Sequence, residues 1–116
     1  MTDKAKQGME LFEKDYMEFY NRMIRLDTVD LYRHYYEIYV IEQIYGATQE
    51  GDFEEEDVFF ELAADGYLCL SVMFNDFLNC EFSSVNNYGD TYDFIHDEIK
   101  RATKLREDEI RRKAKQ

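Results

Sequence analysis

Two histidines and two cysteines are the side chains of this 116-residue chain best suited to catalysis or metal binding. His96 stands three residues after Asp93, but a di-iron site in a helical bundle needs two Glu-x-x-His pairs from different helices. Cys69 and Cys80 have no histidine or basic residue near them in sequence to activate a thiol. We therefore predict that both cysteines lie in the core, that His34 and His96 are ordinary helix residues, and that the chain is not an enzyme and holds no cofactor.

The spacing of residues required for a calcium-binding loop or a phosphate-binding loop is also absent from the sequence. A calcium loop that begins at Asp52 would need glycine at its sixth position and glutamate at its twelfth, where the chain has Asp57 and Ala63. The five glycines are isolated, and none is followed by Lys and then Ser or Thr. A phosphate-binding loop of the P-loop type is therefore excluded.

Charge is the most informative property of the sequence because it is unevenly distributed. The net charge is −12, yet residues 100–116 hold eight Lys or Arg against three acids, which leaves residues 1–99 at −17. Between Arg33 and Lys100 there are sixteen Asp and Glu and no Lys or Arg. Few acids can be buried without a partner, so the folded chain must present a wide negative face. Such a face either binds a positively charged partner or is simply solvated and keeps the protein soluble.

The composition is that of one folded domain. Hydrophobic residues make up 45% of the chain, including nine Phe and ten Tyr, which is ample material for a core. The absence of proline favours long helices. No window approaches the ~20 apolar residues of a membrane span, and the first residues do not resemble an export signal. We expect a cytoplasmic protein that does not bind membranes.

The spacing of apolar residues predicts helices in the first half of the chain. A heptad stripe predicts an amphipathic helix over 2–26. A second helix, over 28–45, is apolar around most of its circumference and is predicted to be the central helix, with Asp27 as its N-cap and Gly46 at its end. Its five tyrosines are either core residues whose hydroxyls reach the surface or an exposed aromatic patch that anchors an interface.

Three more helices are predicted in the second half, over 53–64, over 67–82 and from Asp90 or Thr91 onwards. The segment 67–82 is ambiguous, since its short apolar runs also fit a small β-hairpin, but polar residues four positions apart favour the helix. The predicted buried stripe of the last helix consists of Tyr92, Ile95, Ile99 and Ala102. The fold class is thus all-α: a compact bundle of four to five helices over 1–105, with 106–116 as a basic helical extension or frayed tail.

In size, acidity, helicity and aromatic content, the chain resembles the small anti-restriction and anti-CRISPR inhibitors of phages and mobile elements, several of which are similar to DNA in their charge. The resemblance covers the composition of the whole chain and rests on no motif. It implies an inhibitor, in a bacterial cell or phage-infected host, of a basic nucleic-acid-handling protein such as a CRISPR effector or restriction nuclease. A rigid scaffold with carboxylates along one face can occupy a DNA-binding cleft, because duplex DNA bears about one negative charge per 1.7 Å.

The residues predicted to bind this partner are acids of the stretch that lacks basic residues, namely Glu50, Asp52, Glu54, Glu55, Glu56, Asp57, Glu61, Asp65, Asp93, Asp97 and Glu98. DNA mimics of this class rarely end in a basic segment, whereas this chain does. The alternative is a self-associating structural or accessory protein, in which the basic tail of one copy pairs with the acidic body of another and gives a homodimer or larger assembly. Direct binding of nucleic acid by the tail is disfavoured, because the acidic body repels phosphate.

Overall fold

The structure is a computed structural model that describes residues 1–49, 55–81 and 91–115. Within these ranges the chain forms six α-helices and no strand, which confirms the predicted all-α class. The helices are α1 (Asp3–Ile24), α2 (Thr28–Arg33), α3 (Tyr35–Gln49), α4 (Glu56–Ala64), α5 (Leu70–Glu81) and α6 (Thr91–Ala114). Because α5 occupies the ambiguous segment, the β-hairpin alternative for 67–82 is wrong over its described residues.

Helices α1 and α4 make the most extensive contact between helices in the described part of the chain. At Gly8 of α1, an added Cβ atom would lie 1.6 Å from the carbonyl oxygen of Phe60 and 3.0 Å from the backbone nitrogen of Ala64. Any side chain at this position would overlap with the backbone of α4. Gly8 therefore sets the distance between the two helices.

The core is built around the heptad stripe of α1. Phe12 and Phe19 of this stripe are buried, as predicted. The Phe12 ring meets Phe59 edge-on with 5.2 Å between ring centroids, and Phe60 with 6.2 Å. Such edge-to-face pairs are worth about 0.5–1.5 kcal/mol beyond the area they bury. The aromatic side chains of α4 thus fix its position on α1.

The predicted second helix is divided at His34 into α2 and α3. Asp27 caps α2 as predicted, since its carboxylate accepts a hydrogen bond of 2.9 Å from the backbone N–H of Asp30. However, α2 has no buried residue, so the prediction of one central helix over 28–45 is wrong for this part. Only α3 contributes to the core, and it continues to Gln49, so Gly46 does not end it.

The first turn of α5 is fixed by a side chain of another helix. A carboxylate oxygen of Asp15, on α1, accepts a hydrogen bond of 2.9 Å from the backbone N–H of Leu70. The first N–H groups of a helix have no partner within the helix, so this contact does the work of an N-cap from 55 positions away. It holds the N-terminus of α5 against α1.

Helix α6 runs from Thr91 to Ala114 and is continuous through the boundary predicted at residues 105 and 106. Its buried residues are Phe94, Ile95, Glu98, Ile99 and Ala102. Tyr92 is exposed, so its assignment to the buried stripe is wrong. Among the helices of the described residues, none has the length and apolar character needed to cross a membrane.

Candidate functional site

The acids predicted to bind a partner do not form one uniform surface. Glu50, Asp52 and Glu54 lie outside the described residues. On the first turn of α4, Asp57 is exposed and Glu56 is half-exposed. These two carboxylates also stand at the positive end of the α4 dipole, which stabilises negative charge there.

Other predicted acids contact groups of this chain. The Asp65 carboxylate lies 2.6 Å from the Lys4 ammonium and 3.7 Å from the Arg106 guanidinium. Glu61 accepts a hydrogen bond of 2.8 Å from the Thr2 hydroxyl. At the N-cap position of α4, the Glu55 carboxylate contacts Nδ1 of His96. These acids tie α4 to α1 and α6, so they contribute less to an outward negative field than their number in the sequence suggests.

Of the three predicted acids on α6, Asp93 and Asp97 are exposed, but Glu98 is not. The Glu98 side chain is 3% exposed, so it is not part of the protein surface. Its position on the helix explains this, since residues 95, 98, 99 and 102 follow the i, i+3, i+4, i+7 spacing of one helix face. That spacing was visible in the sequence and marks Glu98 as a buried acid.

Glu98 belongs to a cluster of three ionisable side chains that joins α5 to α6. The Arg101 Nε atom donates to the Glu98 carboxylate at 2.7 Å and lies 3.0 Å from the Asp76 carboxylate. One guanidinium thus faces two carboxylates. Burial and a hydrogen bond with Asp76 raise the pKa of Glu98 from 4.5 to about 8, although the Arg101 charge acts in the opposite direction. Near neutral pH, Glu98 is therefore mainly protonated and the cluster carries no net charge.

A groove between α1 and α3, with α2 at one end, is lined mainly by apolar side chains, several of which are exposed. We call it the α1–α3 groove. Its volume is about 480 Å³. Its lining includes Phe19, Tyr20, Met23 and Ile24 of α1, Leu31 and Tyr32 of α2, and Tyr35, Ile38 and Glu42 of α3. Among the described residues that line it, Glu42 is the one charged side chain.

The tyrosines around the groove are exposed. Tyr32 is 82% exposed and Tyr35 66%, and Ile24, which also lines the groove, is 60% exposed. Of the two interpretations of the tyrosine-rich helix, the structure favours the exposed aromatic patch for these residues. Tyr45 differs, because it is partly buried against the core. Clusters of exposed apolar and aromatic side chains are typical of surfaces that bind other proteins.

The end of the groove away from α2 combines aromatic rings with carboxylates. The rings of Tyr16 and Tyr45 are parallel, with an interplanar angle of 2° and centroids 3.8 Å apart. The Tyr16 hydroxyl donates a 2.6 Å hydrogen bond to Glu42. Burial and this hydrogen bond raise the pKa of Tyr16, and burial with the nearby Glu13 and Glu42 charges raises that of Tyr45. The Glu13 and Glu42 carboxylates therefore place negative charge at this end of the groove.

Features that suggest chemistry are few in the described part of the chain. No group of three or more His, Cys, Asp and Glu side chains is placed there to hold a metal ion. His34, between α2 and α3, faces Glu37 of α3, with 3.3 Å between Nδ1 and a carboxylate oxygen. Cys69 is a free thiol and is only partly buried, so its predicted place in the core is wrong; the side chain of Cys80 lies outside the described part of the structure.

Comparison with known proteins gives no relative: neither a protein-family model, nor a curated protein, nor a solved structure matches this chain.

Proposed function

We propose that this chain is a non-enzymatic binding protein that engages a positively charged protein through the α1–α3 groove and exposed carboxylates of its surface. The observation that carries the proposal is the apolar surface at the groove, where Tyr32, Tyr35 and Ile24 are each at least 60% exposed. Folded proteins rarely expose contiguous apolar patches of this kind without a partner to cover them. Tyrosine is also enriched among the residues that dominate binding energy in interfaces.

The partner that we favour is a basic, nucleic-acid-handling protein, such as a CRISPR effector or a restriction nuclease, which the chain would inhibit. The support for this class is the charge of −17 over residues 1–99. Because Asp65, Glu61 and Glu55 have partners within the chain, we expect Asp57 and Asp97 to contribute more to binding than these three. Carboxylates at the edge of an interface mainly accelerate association and make it sensitive to salt.

Photo-crosslinking from within the groove tests the proposal. A photoreactive phenylalanine replaces Tyr32 in the full chain, and a matched variant carries it at Val72, an exposed residue of α5. We expect the Tyr32 variant, irradiated in bacterial cells, to form an adduct with a basic protein that the Val72 variant does not form. The adduct should disappear when Leu31→Ser and Tyr35→Ser are added to the same chain. An adduct that survives these two substitutions would contradict the proposal.

The contribution of the acids is tested separately on the same adduct. Asp57→Asn and Asp97→Asn remove two exposed charges without changing the size of the side chains. We expect less adduct at low salt and a weaker dependence of its yield on salt concentration. If the adduct yield and its salt dependence stay unchanged, the groove alone binds the partner. The proposal that these acids block a basic cleft would then be wrong.

Self-association is the second candidate function, and the end of α6 favours it. There Ile110 is 60% exposed, and Arg111 and Arg112 are exposed beside it. These residues could pair with the acidic body of another copy. Light scattering should then give a mass above 14.0 kDa that falls to the monomer value in the variant Arg111→Gln with Arg112→Gln. A monomeric wild-type chain would eliminate this candidate.

A further inference from the structure

The two ends of the α1–α3 groove differ in chemistry. At the α2 end, the side chains of Leu31 and Tyr32 close the groove with apolar surface. The Glu42 carboxylate lies at the opposite end and accepts a hydrogen bond of 2.6 Å from the Tyr16 hydroxyl. A ligand that fits the whole groove must therefore be apolar along most of its length and positively charged at one end.

The charged end is suited to a Lys or Arg side chain. Glu42 is exposed, and the stacked rings of Tyr16 and Tyr45 lie beside it. Tyr20 is close to the same rings, with 6.3 Å between its centroid and that of Tyr16. A cation placed there gains an ion pair with the carboxylate, which is worth up to about 1 kcal/mol at exposed sites.

The spacing of the side chains along the groove matches a helix as the occupant. On α1, the groove residues Met23 and Ile24 follow Tyr20 at intervals of three and four residues. On α3, the groove residues 35, 38 and 42 follow the same intervals. Two helices that present such rows leave a channel into which the side chains of a third helix can interdigitate.

We propose that the α1–α3 groove binds an amphipathic α-helix of a partner protein, with its apolar face between α1 and α3 and a Lys or Arg at Glu42. This inference rests on the proposed function and specifies the chemistry of the partner. Charge argues against a second copy as the occupant, because two chains of net charge −12 repel each other. Among the described residues, Arg22 is the basic residue whose guanidinium lies over a groove side chain, the Phe19 ring. Arg22 lines a different cavity, together with Asp15 and Glu37.

The probe is a synthetic helix rather than an unidentified protein. A fluorescent peptide of about 14 residues, roughly 21 Å long as a helix, carries leucines on one face and lysines on the other. Two matched peptides complete the set. In one, glutamate replaces every lysine; in the other, the leucines and lysines are scrambled so that no apolar face remains. Fluorescence anisotropy with the full chain then gives a Kd for each peptide.

Two pairs of variants separate the groove from general attraction to an acidic protein. Tyr35→Ser removes a groove side chain, whereas Tyr36→Ser removes an exposed tyrosine of the same helix outside the groove lining. Glu42→Gln removes the charge at the groove end, whereas Glu18→Gln removes an exposed charge elsewhere on α1. The two variants of a pair undergo the same change in composition and in net charge. Any difference in Kd between them therefore shows the effect of the position of the substituted residue.

The expected result is a Kd for the Leu/Lys peptide at least about tenfold below those of both matched peptides. Tyr35→Ser should raise that Kd by about tenfold and Glu42→Gln by about threefold, with smaller effects for Tyr36→Ser and Glu18→Gln. Equal binding of the Leu/Lys and Leu/Glu peptides would overturn the cationic part of the inference. Equal effects of Tyr35→Ser and Tyr36→Ser would overturn the groove as the binding site.

The outcome also distinguishes this inference from the proposed function. If neither helical peptide binds but the Tyr32 adduct forms, the groove binds a protein that is not a cationic helix, and only the inference fails. If the peptides do not bind and the Tyr32 variant crosslinks only to another copy of the chain, both proposals fail. A dimeric mass that Tyr35→Ser converts to the monomer value would assign the groove to a second copy and overturn the inference.

Discussion

Replacing Glu98 with glutamine should make this protein more stable at neutral and alkaline pH. Glu98 is buried, and Arg101 can balance the charge of only one of the two carboxylates that face it. Glutamine has nearly the same shape, carries no charge and can still accept the hydrogen bond from Arg101. The substitution therefore imitates the protonated form of Glu98 at every pH.

The size and sign of the effect follow from the pKa of Glu98, which is raised from 4.5 to about 8 in the folded protein. Stability that depends on the protonated carboxyl group is fully present below pH 4.5 and is lost as the pH rises towards 8, because the unfolded chain ionises first. Each pKa unit corresponds to about 1.4 kcal/mol, which sets a ceiling of about 5 kcal/mol for the loss. Relaxation around the charge reduces this value, and we expect about 2–4 kcal/mol.

Urea unfolding at pH 5, 7 and 8.5 measures this difference. At pH 5 the wild type and Glu98→Gln should differ by less than about 1 kcal/mol, and the variant should become more stable than the wild type by about 2–4 kcal/mol at pH 8.5. Asp97→Asn, at the preceding and exposed position of α6, makes the same carboxyl-to-amide change at the surface and serves as the control. If Glu98→Gln and Asp97→Asn have the same pH dependence, or if Glu98→Gln is less stable than the wild type at pH 8.5, the cluster does not hold a protonated Glu98.

Four more substitutions test how the helices are held together. Gly8→Ala should destabilise the protein by more than about 2 kcal/mol in urea unfolding, because its Cβ would overlap with the Phe60 carbonyl. Gly46→Ala should stabilise α3 by up to about 1 kcal/mol, because an added Cβ there has no neighbouring atom of the described residues within 4 Å. Asp15→Ala should cost about 1–2 kcal/mol through the loss of the cap on α5; no measurable change would show that the contact with Leu70 is not formed. Asp65→Asn should cost less than about 1 kcal/mol, and a cost that persists in 1 M salt would contradict an ion-pair origin.

Sequence reasoning succeeded where a single helix carries the whole signal. The heptad stripe of α1 predicted the burial of Phe12 and Phe19, because a 3.6-residue period marks one face of a helix without reference to the rest of the fold. The cap at Asp27 was predictable for the same reason, since it involves only neighbouring residues. The polar positions of α5 also sufficed to favour a helix over a hairpin.

The failures concern contacts between distant parts of the chain. The segment 28–45 is apolar around most of its circumference, which is typical of a buried helix, and nothing local shows that α2 stands outside the core with Tyr32 exposed. The role of Gly8 depends on the backbone of α4, more than fifty residues away. Glu98 illustrates both cases, because its buried face and its i+3 neighbour Arg101 could be read from spacing, whereas the approach of Asp76 from α5 could not.

The distribution of charge over the folded chain also changes what the basic C-terminal segment can do. Arg101 and Arg106 are not available to a second copy or to nucleic acid, since their guanidinium groups lie against Asp76 and Asp65 of this chain. Part of the tail thus neutralises part of the body, and the contrast between a −17 body and a +5 tail is smaller in the structure than in the sequence. Interactions between exposed charges are screened beyond about 8 Å at physiological salt, so the remaining acids can attract many basic proteins but select poorly among them. Selection requires a surface that desolvates a particular shape, and the exposed tyrosines and aliphatic side chains of the α1–α3 groove provide such a surface.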